Sequence, residues 1–215
     1  QCGREDLKEN SMKVFDSYLK NGFTQAGFFK ESVNFDRGYE DPVHSIRRQS
    51  EGVYAMLHFL AYERENGRRH PEWEQKMKNM LDILLQLQHE DGSFPRKFHD
   101  DFTIVDNSGG STPSATLPLI MGYKYFKDKR YLASAKRTAD YLEKVLISKA
   151  DYFSSTLDAN CEDKEASLYA ATATYYLSLI TKGDEHRHYA DLTRKAAYFA
   201  LSWYYVWDVP FAQGQ

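Results

Sequence analysis

Apolar residues recur at helical spacing along most of the chain. Leu7, Met12, Phe15 and Leu19 share one stripe, which predicts a first helix from Glu5 to Leu19. Stripes, N-terminal caps and Gly or Pro stop signals indicate six more helices. These run from about Gln49 to Glu65, Pro71 to Leu87, Thr112 to Lys127, Asp128 to Ile147, Glu162 to Thr181 and Asp184 to Trp207.

The predicted helices alternate in character. The second, fourth and sixth are apolar or small on most sides, as in the stretch from Ala166 to Ala173, whereas the third, fifth and seventh have one apolar stripe and a charged back. Helices that are apolar all round are buried, and striped helices face water. The pattern therefore predicts an all-α domain over residues 1–215, built from three hairpins of an inner and an outer helix. Pro118 is expected in the first turn of its helix, because a later proline breaks the hydrogen-bond ladder.

The connections also alternate. Turns inside a hairpin are short, whereas the segments that lead from an outer helix to the next inner helix are long and rich in Asp, Asn, Gly and aromatic residues. Long loops at one end of a rigid scaffold are common places for a site. We therefore expect Arg47 to Glu51, Asp106 to Thr112 and Asp158 to Glu165 to converge at one end of the inner helices.

The third of these segments is unusually acidic. Asp158, Glu162, Asp163 and Glu165 stand at the entrance of the sixth helix, where one cap and one or two further acids suffice. The excess favours catalysis or the binding of a polar ligand. Local roles are the alternative: Asn160 or Asp163 as a cap, Glu165 as a dipole partner, and Glu162 paired with Lys164 in solvent.

The hairpin succession, the hairpin exit from Leu85 to Pro95 with its Asp-Gly-Ser-Phe sequence, and the acidic helix entrance resemble the (α/α) toroid of six-hairpin glycosidase-like proteins. The resemblance covers nearly the whole chain and extends to bacterial proteins of polysaccharide breakdown. It implies a periplasmic or secreted location. A closed toroid of this type needs about six hairpins. The chain is therefore expected to form about half of one, with the domain continuing beyond Gln215.

The resemblance implies a glycoside hydrolase that uses a carboxylate pair on a polysaccharide or oligosaccharide. A polysaccharide lyase on the same fold is the nearest rival, a sugar epimerase ranks lower, and a non-catalytic scaffold that binds glycan or protein is an alternative from another class. The catalytic candidates are Asp158, Glu162, Asp163 and Asp106. The candidate substrate-binding residues are Arg47, Arg48, Glu51, Asn107, Asn160, Lys164, Tyr169 and Phe94.

Composition and charge limit the classes of molecule that the protein is expected to bind. The net charge is -3 and the basic pairs are short and isolated, so nucleic acid is not expected. No apolar run approaches the ~20 residues that span a bilayer. No metal-ligand spacing or phosphate-binding loop is present, so neither a metal nor a cofactor is expected. The 16 Tyr suit a glycan cleft, although most aromatic residues are expected in the core. The aromatic end of the last helix, from Trp203 to Trp207, is a candidate surface for self-association.

Overall fold

The computed structural model describes residues 4–34, 36–153 and 161–204. Within these ranges the chain forms seven α-helices, one π-helical segment that continues α5 (Leu142–Ile147) and five short strands, and the fold is all-α in character. The helices are α1 (Glu5–Asn21), α2 (Ile46–Glu65), α3 (Pro71–Leu87), α4 (Thr112–Phe126), α5 (Lys129–Tyr141), α6 (Lys164–Ile180) and α7 (Gly183–Leu201). The strands are β1 (Val33–Asn34), β2 (Tyr39–Glu40), β3 (Val43–Ser45), β4 (Lys97–His99) and β5 (Ile104–Asp106).

The helices form an inner and an outer layer, as the alternating pattern predicts. Helix α4 packs between α2 and α6, and each of these inner helices forms a hairpin with the outer helix that follows it. Glu51 of α2 contacts Tyr169 of α6, and Tyr54, further along α2, contacts Tyr176, further along α6. The two helices therefore run parallel. Their N-termini therefore lie at one end of the layer.

The inner helices are not equally buried. Almost every residue of α4 is buried, and so is the Ala166, Ala170 and Ala173 face of α6. The expectation of burial on every side is nevertheless wrong for α2 and α6, because each keeps an exposed stripe. No further inner helix covers these stripes within the described residues. The exposed residues include His58 and Tyr62 on α2, and Leu168, Tyr175 and Leu179 on α6.

Three predicted boundaries need correction. Pro118 lies in the middle of α4, where it cannot donate to the Ser114 carbonyl, and not in the first turn. Helix α6 begins at Lys164 instead of Glu162, because Asp163 adopts an extended conformation and caps it. Helix α7 ends at Leu201, with a turn through Tyr204. Tyr205 and Trp207 lie outside the described residues, and self-association through this end stays a prediction.

Two segments that were expected to be loops contain a three-stranded antiparallel sheet in the order β3-β4-β5. Ser45 pairs with Lys97 and Lys97 pairs with Asp106, so the three residues form one row across the sheet. Neighbouring strands lie ~4.8 Å apart, which places the Asp106 backbone ~10 Å from that of Ser45. Because Ser45 is the N-cap of α2, Asp106 lies at the entrance end of the inner helices.

The Asp-Gly-Ser-Phe sequence joins α3 to α5. Gln88 donates to the Ser134 carbonyl at 3.0 Å and to Thr138 Oγ1 at 2.9 Å. Gly92 has a φ of +90°, and a Cβ there would lie 2.1 Å from the Arg137 carbonyl oxygen. Only glycine combines this left-handed conformation with so close an approach. The motif therefore has a packing role in the fold.

A buried carboxylate fixes the entrance of α2. Glu31 Oε1 accepts hydrogen bonds from Ser45 N at 2.7 Å and from Gln49 Nε2 at 3.1 Å. Gln49 also exchanges two hydrogen bonds with the Phe29 backbone. A carboxylate at a helix N-terminus is stabilised by the free backbone N–H groups and the helix dipole. The first two turns of α2 are thus held against residues 29–31.

Candidate active site

Four polar side chains from α2 and α6 meet at the entrance end of the inner helices. Arg47 Nε donates to Glu51 Oε1 at 3.0 Å, and Arg47 Nη1 pairs with Glu165 Oε2 at 2.7 Å. The Tyr169 hydroxyl donates to Glu51 Oε1, and the Arg47 guanidinium lies 5.8 Å from the centre of the Tyr169 ring. We call Arg47, Glu51, Glu165 and Tyr169 the entrance cluster. Residues that are 118 positions apart in the chain thus form one hydrogen-bonded group.

The two carboxylates of the entrance cluster are open to solvent. The Glu51 and Glu165 side chains are 42% and 43% exposed, whereas Arg47 is 22% exposed. Within the described residues, Oε2 of Glu51 and Oε1 of Glu165 have no hydrogen-bond partner. Each carboxylate therefore combines one anchored oxygen with one that a ligand can reach.

The environment fixes the protonation states of Arg47 and Tyr169, the other two residues of the entrance cluster. Burial by itself lowers the pKa of Arg47, but the hydrogen bond to Glu51 and the nearby charge of Glu165 outweigh it and raise that pKa. Burial, followed by the hydrogen bond to Glu51, raises the pKa of Tyr169 to about 12. At neutral pH Arg47 is consequently a cation and Tyr169 is a neutral hydroxyl that donates.

The exposed side of α2 continues from the entrance cluster with further polar groups. Tyr54 follows Glu51 by three residues and its hydroxyl lies 3.2 Å from that of Tyr176. His58, one turn further on, contacts the Tyr54 ring edge-on at 4.5 Å. Burial, and then the charge of Lys124, lower the pKa of His58, so the imidazole is neutral at pH 7. Tyrosine and histidine thus continue the polar surface between α2 and α6.

The acidic segment before α6 is only partly described. Asp158 and Asn160 lie outside the described residues. Glu162 Oε2 accepts a hydrogen bond from Tyr152 N at 3.0 Å, and Asp163 Oδ1 accepts one from Glu165 N at 2.8 Å. Both acids therefore make local contacts at the helix entrance. Lys164 places its ammonium 5.3 Å from the Tyr204 ring centre instead of pairing with Glu162.

The second predicted segment also makes local contacts. Asp106 accepts from Ser108 N at 2.9 Å and lies 3.4 Å from Arg96 Nη1. Burial alone raises the pKa of Asp106, but the Ser108 hydrogen bonds and the positive charges nearby lower it overall. Asn107 Oδ1 lies 2.7 Å from His89 Nε2.

Two predicted binding residues take other positions. Phe94 is fully buried in the core, so its ring offers no face to a ligand, and its assignment to substrate binding is wrong. Arg48 turns away from Arg47 and pairs with Glu31 Oε2 at 3.2 Å. The two arginines therefore point to different parts of the surface. The contact between Arg47 and Glu51 could have been predicted from the sequence, because their i, i+4 spacing places them on one helix face.

Among residues 4–34, 36–153 and 161–204, no three His, Cys, Asp or Glu side chains are placed to hold a metal ion. No helix in the same ranges has the length and apolar character to cross a membrane.

No protein-family model matches the chain. Its fold is similar to three solved structures: a cellobiose 2-epimerase from Spirochaeta thermophila DSM 6192 (TM-score 0.69, 14% identity), a D-mannose isomerase (0.68, 17%) and a sugar epimerase from a ruminal bacterium (0.68, 12%). The matches cover 94%, 94% and 92% of this chain, but 56%, 56% and 55% of those proteins.

These similarities confirm the predicted fold, an (α/α) toroid of helical hairpins. The chain spans about half the length of the structures it matches. At such low sequence identity they establish the fold and leave the chemistry to be argued from the site. That the domain continues beyond Gln215 stays a prediction.

Proposed function

We propose that the protein is a carbohydrate-active enzyme that epimerises or isomerises a sugar at the entrance cluster. The observation that carries this proposal is the pair of carboxylates, Glu51 and Glu165, held by one guanidinium with an accessible oxygen on each. A neutral phenol, Tyr169, completes the group. The sugar epimerases and the isomerase of similar fold support the choice of substrate class.

The proposed reaction is a proton transfer at the carbon next to the carbonyl of the open-chain sugar. A carboxylate of the entrance cluster removes the proton from C2, and the electron pair moves onto the carbonyl oxygen to give an enediolate. The carboxylate releases this proton to solvent, and protonation of C2 on its other face by solvent re-forms the carbonyl and gives the epimer. Protonation of C1, with loss of the proton on the C2 hydroxyl and protonation of the C1 oxygen, gives the ketose. Arg47 and Tyr169 supply the positive charge and the O–H donor that stabilise developing negative charge.

Glycoside hydrolysis, which the sequence favours, is the second candidate. It needs one protonated carboxyl to assist the leaving group and one ionised carboxylate. Glu51 accepts a hydrogen bond from Arg47 and Glu165 forms an ion pair with the same guanidinium, an arrangement that suits two ionised groups better than an acid and a base. The observation in favour of hydrolysis is the additional pair of acids, Glu162 and Asp163, directly before α6. In that reaction the catalytic pair would come from Glu162, Asp163, Asp158 and Asp106.

A polysaccharide lyase fits the entrance cluster less well. Its uronate substrate needs a positive charge that is free to neutralise the sugar carboxylate. Arg47 already contacts two carboxylates, so the cluster carries a formal charge of about -1 and repels a further anion. The same negative charge favours a neutral sugar over an anionic one.

The test is incubation of the protein in D₂O with mannose and with cellobiose, followed by NMR. Deuterium incorporation at C2 with formation of the epimer or ketose is expected. Release of new reducing ends without exchange would assign the protein to the hydrolases, and an ultraviolet-absorbing unsaturated product from a uronate polymer would assign it to the lyases. Sugar binding without any product would favour the non-catalytic scaffold.

A further inference from the structure

A cavity of about 300 Å³ lies beside the entrance of α2, between the first turn of that helix and the β3-β4-β5 sheet. It lies at the end of the inner helices that carries the entrance cluster, because Ser45 both lines the cavity and caps α2. Its volume is at the lower limit of ligand pockets, which suits one small ring. Its lining includes Asp41, Val43, Ser45, Arg48, Lys97 and Val105.

Arg48 connects the cavity to the entrance cluster. Arg47 and Arg48 are consecutive, so their side chains leave α2 about 100° apart. Arg47 points to the carboxylates of the cluster, and Arg48 points into the cavity. Only Nη1 of Arg48 contacts Glu31, at 3.3 Å to its carbonyl and 3.2 Å to its carboxylate, and the side chain is 51% exposed. The guanidinium is therefore anchored on one side and accessible on the other.

The lining combines charges of both signs with an apolar wall. Two basic side chains, Arg48 and Lys97, and two acidic ones, Glu31 and Asp41, line the cavity. Both oxygens of Glu31 already have partners, so Asp41 is the acid that can accept from a ligand. Val105 adds an apolar surface that is 47% exposed, and Val43 lies on the neighbouring side. Such a balanced set of donors and acceptors around an apolar wall suits a neutral ring with many hydroxyl groups better than an anion or a purely apolar ligand.

We propose that this cavity is a subsite for a second, non-reacting sugar ring, so that the substrate is a disaccharide or a longer glycan. The inference rests on the proposed function, because the reacting ring is placed at the entrance cluster. The neighbouring ring then lies on the Arg48 side of α2, where the guanidinium and Asp41 bind its hydroxyl groups and Val105 contacts its face.

Strand β5 offers a matched pair of variants. Val105 and Ile104 are adjacent, exposed and apolar, but Ile104 pairs with Phe98 of β4, whereas Val105 is the extra residue at an irregularity of this pairing, and of the two only Val105 lines the cavity. Val105→Trp fills the cavity, whereas Ile104→Trp adds the same bulk outside it. Both proteins and the wild type are assayed with cellobiose and with mannose, by kinetics and by NMR-detected binding.

Val105→Trp is expected to raise the KM and Kd for cellobiose at least tenfold while leaving those for mannose unchanged, and Ile104→Trp is expected to change neither. The subsite would be overturned if the Val105→Trp protein had wild-type KM and Kd values for both sugars. It would also be overturned if the folded variant lost affinity for both sugars equally. If the wild type turns over neither sugar, the proposed reaction fails, but the binding measurement still decides: selective loss of cellobiose binding supports the subsite, and no cellobiose binding by the wild type refutes it.

Discussion

The two ends of α2 use the same types of residue in opposite ways. At its N-terminal end Arg47 holds Glu51 and Glu165, whose side chains are more than two-fifths exposed. At its C-terminal end Glu63 is only 5% exposed and contacts both Arg68 and His70. Its Oε2 accepts from Arg68 Nε at 2.7 Å and lies 2.9 Å from His70 Nε2, and its Oε1 contacts Arg68 Nη2.

Under the proposed function, this difference separates an ion pair that serves a ligand from one that serves the fold. Every oxygen of Glu63 has a partner, so that carboxylate joins α2 to the turn before α3 and has no capacity left for a ligand. The carboxylates of the entrance cluster each keep an oxygen without a partner among the described residues. These oxygens are exposed to solvent and can bind a ligand, whereas those of the buried Glu63 cannot.

The largest expected effect is on activity at the open end. Glu51→Gln removes a carboxylate of the entrance cluster but keeps its shape, so turnover should fall by ~100-fold to ~10,000-fold, the usual cost of losing a general base. The melting temperature should change little, because the side chain is well exposed. Kinetics of C2 proton exchange and a thermal melt measure the two quantities.

Glu40→Gln is the matched control for that variant. Glu40 also forms an exposed pair, with Lys30 at 2.6 Å, but it lies on β2 outside the entrance cluster. The Glu40→Gln protein should therefore retain wild-type turnover. Equal activity of the Glu51→Gln and Glu40→Gln proteins would remove the entrance cluster from the reaction.

At the closed end the effect should be on stability instead. Glu63→Gln leaves Arg68 and His70 without their buried anionic partner, which should lower the free energy of unfolding by about 1–3 kcal/mol. Activity per folded molecule should stay at the wild-type level, since Glu63 lies at the opposite end of α2 from the cluster. Urea unfolding and the exchange assay on the same samples check both expectations, and a large loss of activity without loss of stability would contradict the comparison.

The stabilisation by Glu63 should also depend on pH. The hydrogen bond from Arg68 lowers the pKa of Glu63 from 4.5 to about 2, against the opposing effect of burial and with help from His70. A carboxyl whose pKa is lower in the folded state stabilises that state fully above its unfolded pKa. The stabilisation is lost as the pH falls through the folded pKa. The difference in unfolding free energy between the wild type and Glu63→Gln should therefore be constant above about pH 5 and shrink as the pH falls from 4.5 towards 2. A difference that stays constant down to pH 2.5 would argue against this assignment.

The sequence predicted the layers of the fold well, because burial imposes a periodicity that a single helix already displays. Helix α4 is apolar on all sides and lies in the middle of the inner layer. The strands were missed because β3, β4 and β5 have three residues each, too few for an alternating pattern to stand out. The Asp-Gly-Ser-Phe motif was correctly associated with the fold, and Gly92 shows the steric reason.

The site was predicted less well. Arg47, Glu51 and Tyr169 were selected as binding residues, Glu165 was one of the four acids at the entrance of its helix, and the segments of Arg47 and Glu165 were expected to converge, but the individual contacts were not predicted. Their contacts depend on how α2 and α6 pack on either side of α4, which brings together residues more than 100 positions apart and which no local pattern encodes. Local contacts explain the misplaced residues: Arg48 is attracted by Glu31, and Phe94 follows the glycine turn into the core.

The smallest expected effect concerns Asp106, which lies at the same end of the layer as the entrance cluster but resembles Glu63 in having its contacts satisfied. Its Oδ1 accepts the Ser108 N–H, and an asparagine oxygen can accept the same hydrogen bond. Asp106→Asn should therefore keep the turn and lose only the weak pairing with Arg96 at 3.4 Å, which costs less than about 1 kcal/mol and alters turnover by less than about fivefold. Asp106→Ala, which also removes the acceptor, should melt earlier than Asp106→Asn at similar turnover. If Asp106→Asn instead reduced turnover as strongly as Glu51→Gln, Asp106 would join the reacting carboxylates, and satisfied contacts would no longer distinguish the structural acids of this protein from the functional ones.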